Sequence, residues 1–185
     1  MKIRTFIALE IPEDAIEKII IIRKDKIGDG GNSKWEIKEK LHLTVKFLGD
    51  IDYNALNSYI KDINSIVSDI KQFELRFSEF GIFKKGGDPK ILWVGLEENY
   101  KLIQFAEALD SRFENYGHKK EERKFKSHIT LLRLRGFENI EKILSLTQVK
   151  IPEINFTANK VVFYESQLNK NGSVYKSLKE FYLKN

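Results

Sequence analysis

The segment Leu41-His42-Leu43-Thr44-Val45 alternates apolar and polar residues, and the pattern returns as His128-Ile129-Thr130-Leu131 in the second half of the 185-residue chain. Alternation of this kind specifies a β-strand, because successive side chains of a strand point to opposite faces. Leu41, Leu43, Val45 and Phe47 are expected on one apolar face, leaving His42 and Thr44 together on the other. In the second copy Ile129 and Leu131 turn to the core, and His128 and Thr130 turn away. Each strand thus offers an imidazole and a hydroxyl side by side on a non-core face. Only one other histidine exists, His118.

The surroundings of the two copies share an order. A strand from about Ile3 to Ile11 leads into a helix opened by Pro12-Glu13-Asp14, where proline fits the first turn and acids suit the helix dipole. Ile16, Ile19, Ile20 and Ile27 give that helix its apolar stripe, and it stops at the flexible loop Gly28-Asp29-Gly30-Gly31. The His42 strand follows and ends at Gly49. A helix from about Asn54 to Ile70, striped by Leu56, Tyr59, Ile60, Ile63 and Ile66, and a strand from about Phe73 to Phe80 complete the series. After a loop over Gly81 to Lys90, the series restarts. It runs through a strand from Ile91 to Leu96, a helix from Asn99 to Tyr116 closed by Gly117, and the His128 strand. A short helix from Asn139 to Thr147 and a strand from Ile154 to Glu165 follow. A last strand, Val174 to Leu183, forms a hairpin across Leu168 to Ser173.

This order predicts one α+β domain over residues 1–185, with an internal pseudo-repeat of about 1–80 and 91–165 and a C-terminal strand. Two pseudo-symmetric lobes, each an antiparallel sheet with helices on its outer face, would set the two His-Thr pairs across a cleft. With 42% hydrophobic and 32% charged residues the chain can bury a core of its own. A net charge of +5 suits a phosphate-bearing partner. The absence of cysteine excludes disulfides and thiolate metal sites and fits a reducing cytoplasm. The N-terminus runs straight into a strand pattern with no apolar leader, and the longest apolar run, Ile19 to Ile22, is too short for a membrane span.

Two facing imidazoles, each with an ordinary pKa near ~6.5, can act as a general base and a general acid at neutral pH. Such a pair suits in-line displacement at phosphorus, with the threonine hydroxyls donating to the non-bridging oxygens. Three scattered histidines without cysteine do not make a zinc site, and no glycine loop is followed by Lys-Ser/Thr as a nucleotide-triphosphate loop requires. Neither metal nor cofactor is expected.

The segments Leu41-His42-Leu43-Thr44-Val45-Lys46-Phe47-Leu48-Gly49, Phe125-Lys126-Ser127-His128-Ile129-Thr130-Leu131-Leu132-Arg133 and Val162-Phe163-Tyr164-Glu165-Ser166 resemble the RNA 2′,3′-cyclic phosphodiesterases. These enzymes, historically called 2′-5′ RNA ligases, belong to the 2H phosphoesterase superfamily. The likeness extends to Arg4-Thr5-Phe6-Ile7-Ala8-Leu9 and Ile91-Leu92-Trp93-Val94-Gly95. It implies metal-independent opening of a terminal RNA 2′,3′-cyclic phosphate to a 2′-phosphate, reversible as ligation. By matching position, His42 is the proton donor and His128 the proton acceptor, while Thr44 and Thr130 bind phosphate. The implied partner is RNA with a cyclic phosphate end, tRNA halves among the candidates, and the protein is expected to be a cytoplasmic monomer.

One segment departs from the family pattern, and one matching residue conflicts with strand parity. Lys126-Ser127 stands where the family often has Arg-Pro, which removes a bidentate phosphate donor. Arg133 matches a recurrent family arginine, yet strict alternation from His128 places it on the opposite face unless a bulge re-aims it. His118, just past a helix end, reads as a solvated loop residue. The basic run Lys119, Lys120, Arg123, Lys124 and Lys126 and the edge Phe83-Lys84-Lys85 are candidate RNA contacts, whereas Trp93 and Phe47 read as core. Two rival functions remain: a phosphodiesterase for small cyclic nucleotides, and an RNA-binding module without turnover.

Overall fold

A computed structural model describes the chain apart from Gly30, Asn32 and Asn171. The elements are β1 (Lys2–Glu10), α1 (Glu13–Ile27), β2 (His42–Asp52), α2 (Leu56–Val67), β3 (Phe73–Lys85) and β4 (Asp88–Leu96). They continue with α3 (Tyr100–Glu114), β5 (His128–Arg133), α4 (Ile140–Leu144), β6 (Asn155–Ala158), β7 (Lys160–Asn169) and β8 (Gly172–Tyr182). The strands form one curled sheet in the order β6-β3-β4-β5-β2-β1-β7-β8, with every neighbouring pair antiparallel. The two strands carrying the His-Thr pairs lie side by side at its centre. They share a single register pair, Leu43 with Ile129. That narrow seam divides the sheet into two four-stranded halves, which are the two lobes.

Helix ends follow local chemistry. α1 begins after Pro12 with Glu13 and Asp14 in its first turn, and it ends where Gly28, at φ 64°, returns its N–H to the Lys24 carbonyl. α3 is capped by Asn99, whose side chain accepts from the Leu102 N–H at 3.2 Å. The buried faces of α1 (Ile16, Ile19, Ile27), α2 (Tyr59, Ile63, Val67) and α3 (Leu102, Phe105, Leu109, Phe113) join Leu43, Val45 and Ile129 in one core cluster. Each such side chain contributes roughly 1.5–3 kcal/mol of burial. No helix among the described residues is long and apolar enough to cross a membrane.

Three expectations from the sequence need correction. The stretch Gly81 to Lys90 is not a loop: β3 runs on to Lys85 and turns directly into β4, with Lys85 paired to Asp88. Gly86 and Gly87 have φ of 61° and 89°, the double left-handed conformation that a two-residue hairpin turn needs. The single strand expected from Ile154 to Glu165 is two strands, β6 pairing with β3 in one half and β7 pairing with β1 and β8 in the other. Neither glycine nor proline marks the break at Asn159, and Val161, Val162 and Phe163 are all buried, so no periodicity signals it. Finally, β2 continues past Gly49, which at φ 72° sits where its pairing with β1 shifts register. Two expected turns, Gly28 to Gly31 and Leu168 to Ser173, include Gly30 and Asn171 and so lie partly outside the described residues.

Candidate active site

Leu43 and Ile129 are fully buried beneath the seam, while His42, Thr44, His128 and Thr130 are half-buried on its other face. Antiparallel continuation from the Leu43–Ile129 pair sets His42 opposite Thr130 and Thr44 opposite His128. Directly opposed residues on one face stand about 5 Å apart at Cβ, so each histidine is flanked by a threonine of its own strand and one of its neighbour.

Both strands then break alternation at the same place. Pairing of β2 with β1 passes from Thr44 to Lys46 and skips Val45, and pairing of β5 with β4 passes from Thr130 to Leu132 and skips Leu131. Two consecutive residues are consequently buried in each strand, Val45 with Lys46 and Leu131 with Leu132. Lys46 is tolerated there because it pairs with Asp110 and donates to the Lys119 carbonyl at 2.9 Å. Beyond the bulge the parity is inverted. Arg133, which strict alternation assigns to the opposite face, lines the cleft with the histidines. Phe47, expected in the core, also lines it and is 66% exposed.

Aromatic rings wall in the two imidazoles. Phe6 stacks on His42 with centroids 5.0 Å apart and itself lies on Tyr164 at 5.1 Å. Tyr175 meets His42 edge-on at 5.3 Å. His128 receives the edge of Phe83 at 4.8 Å and has Trp93 at 6.3 Å. This burial lowers the pKa of both, that of His42 to about 4, and the Arg133 charge depresses each further. His128 Nδ1 lies 2.7 Å from the Lys126 carbonyl, which only an N–H can satisfy. Its Nε2 is therefore left with the lone pair. The His42 ring is likewise hydrogen-bonded to the backbone two residues upstream, at Lys40.

The cleft has a volume of about 610 Å³ and is lined by five cationic side chains, Arg4, Lys34, Lys40, Arg133 and Arg135. Glu36 is the one carboxylate among its described lining residues. The loop carrying Arg135 is fixed by buried Glu138, whose carboxylate accepts from the N–H groups of Arg135 and Gly136 at 2.9 Å. Burial alone would raise the Glu138 pKa, but those N–H groups outweigh it and the net shift is downward. Arg133 donates to the Tyr175 hydroxyl.

Several residues of this site carry no periodic signal in the sequence. Phe6 lies in the strand run Thr5-Phe6-Ile7-Ala8-Leu9, every member of which is buried, so parity cannot assign it a face. Lys34, Glu36 and Tyr175 enter only through tertiary pairing. Of the basic candidates, Lys126 does not line the cleft: its ammonium sits 4.0 Å above the Trp93 ring. Lys84 and Lys85 are exposed at the β3–β4 turn, whereas Phe83 packs on His128. His118 is not a solvated loop residue. Gly117, at φ 82°, folds the chain back so that the His118 ring lies half-buried, with Nε2 2.6 Å from the Tyr59 hydroxyl, away from the cleft. No three His, Asp or Glu side chains converge as a metal site among the described residues.

Residues 25–170 match the model of the 2′-5′ RNA ligase superfamily. The chain belongs to that superfamily. It is 29% identical over 178 residues to an RNA 2′,3′-cyclic phosphodiesterase of Thermotoga maritima, covering 96% of this chain and 94% of the relative. It is 30% identical over 181 residues to one of Methanocaldococcus jannaschii, covering 96% and 99%. Among solved structures, E. coli LigT complexed with 3′-AMP superposes with a TM-score of 0.78 at 24% identity, covering all of both chains. That likeness shows that the two chains share one fold.

Proposed function

We propose that this superfamily member opens terminal RNA 2′,3′-cyclic phosphates to 2′-phosphates without a metal, and forms a 2′-5′ linkage by the same ring opening, itself reversible, when a 5′-hydroxyl replaces water. One observation carries the reading: two imidazoles, two threonine hydroxyls and the bulge-directed Arg133 converge on one face at a single strand seam. The names of the relatives support the substrate class.

By its match to the family motif His128 acts as proton acceptor, and Lys126, by holding its N–H on Nδ1, leaves Nε2 free to take a proton from water. The water oxygen bonds to phosphorus as the P–O3′ bond breaks, and His42 delivers its proton to O3′. Thr44, Thr130 and Arg133 hold the non-bridging oxygens, and Arg133 adds charge-assisted donors. Free His42, with a pKa of about 4, is mostly neutral at pH 7. The bound phosphate anion favours its imidazolium and so prepares the acid. Cations at Arg4, Lys34, Lys40 and Arg135 suit the backbone of an oligonucleotide, tRNA halves included. We further assign the chain to one bilobal domain built on an internal repeat, acting as a cytoplasmic monomer.

The test is an RNA bearing a 2′,3′-cyclic phosphate incubated with the protein in EDTA, followed by identification of the product end. A 2′-phosphate is expected. A 3′-phosphate, or activity only with added metal, would overturn the mechanism.

A further inference from the structure

We propose that Glu36 is a charge filter at the phosphate site: it tolerates the singly charged cyclic ester and expels the doubly charged monoester product. The inference rests on the phosphodiesterase reading above and assigns product release to a specific side chain.

A carboxylate in a cleft that holds five cationic side chains needs a reason, since it weakens the hold on any phosphate. Glu36 is held in place by its surroundings. Its N–H donates to the Leu131 carbonyl at 2.9 Å, and neighbouring Trp35 forms a bridge with Leu132, so residues 35–36 dock on β5 at the bulge itself. Trp35 is pinned in turn, its indole N–H donating to the Asp29 carbonyl at 2.9 Å and the Arg23 guanidinium lying 4.3 Å above its ring. From this anchored segment the Glu36 carboxylate reaches within 3.6 Å of Arg133 Nε, and its side chain is only 22% exposed. It therefore acts on the arginine that holds phosphate, in a setting where charge is incompletely screened.

The charge of the ligand changes after the chemistry. The cyclic ester carries one negative charge. Addition of water, with one proton passing to His128 and one from His42 to O3′, leaves a monoester with one P–OH and still one charge. Loss of that last proton, with a pKa of about 6 for a phosphate monoester, adds a second charge at neutral pH. Repulsion from Glu36 is thus about twice as strong on the ionised product as on the cyclic ester. Glu36 also neutralises part of Arg133, so the site keeps enough attraction for a monoanion without trapping a dianion.

The decisive variant is Glu36→Gln, which keeps the shape and the backbone bonds to β5. Two constants are compared at pH 7.5: KM for an oligoribonucleotide with a cyclic end, and Ki of the same oligonucleotide ending in 2′-phosphate. The proposal predicts that Ki falls about tenfold, the effect of a unit charge a few ångström away at a partly exposed site, while KM falls by less. Glu36→Asp keeps the charge and should keep the wild-type ratio of the two constants. A residue that merely held Arg133 in place would give the opposite sign, since its loss would raise Ki. An unchanged or raised Ki in Glu36→Gln overturns the filter. Calorimetric binding of adenosine 2′-monophosphate to both proteins makes the same comparison without turnover. A wild-type protein that fails to open the cyclic end would refute the underlying reading, while the binding ratio would still decide the filter.

Discussion

The β2 and β5 strands carry the same motif, bulge at the same position, and present different residues to the cleft five places after the histidine. β2 delivers His42, Thr44 and then Phe47; β5 delivers His128, Thr130 and then Arg133. Their environments differ as well. His42 sits among Phe6, Tyr164 and Tyr175, whereas His128 meets Phe83 and Trp93. The site is thus polarised, with a charged arm on one strand and an apolar ring on the other. Leaving Phe47 two-thirds exposed forgoes on the order of 1–2 kcal/mol of burial, so its placement suits a stacking surface for a base better than it suits the core.

The comparison breaks most visibly at the imidazoles. His42→Ala and His128→Ala should each lower kcat by about 10²–10⁴-fold, and near-normal kcat in either would remove that histidine from the chemistry. Next in size, Arg133→Met should lower kcat/KM by about 10²-fold, the loss of charge-assisted donors at the phosphate. Phe47→Ala should act on KM alone, raising it several-fold for an oligonucleotide end, because one stacked base contributes about 1–3 kcal/mol. Equal losses of kcat in both variants would erase the distinction between the strands.

The smallest effects concern pH. Both histidines have folded-state pKa values below 6.5, so the unfolded chain binds more protons in that window and stability rises with pH. For His42 the gain is complete above about 6.5 and is lost as pH falls through about 4. His42→Asn should flatten this part of a pH–stability curve measured by urea unfolding. The wild-type kcat/KM profile should be a bell with both limbs below pH 6.5, and Phe6→Leu should move the His42 limb upward by opening the site to water.

What the sequence discloses of this site follows from how local each constraint is. Parity places the imidazoles and hydroxyls correctly because Leu43 and Ile129 anchor the buried face. Parity fails for Phe47 and Arg133 because a bulge is set by the register of a neighbouring strand. Its traces are slight: the consecutive apolar pair Leu131-Leu132, and Lys46, whose burial depends on Asp110 far along the chain. Gly86-Gly87 between strand-forming residues was a legible hairpin signal. The docking of Trp35 and Glu36 on β5 is tertiary and has no local signature.

The acid and base roles separate most directly with a cyclic end in which sulfur replaces O3′. A thiolate leaves without a proton, so the substrate bypasses the general acid alone. This sulfur-bridged end should restore cleavage by His42→Ala toward the wild-type rate and leave His128→Ala inactive. Restoration of His128→Ala instead, or of neither variant, would contradict the assignment of donor and acceptor.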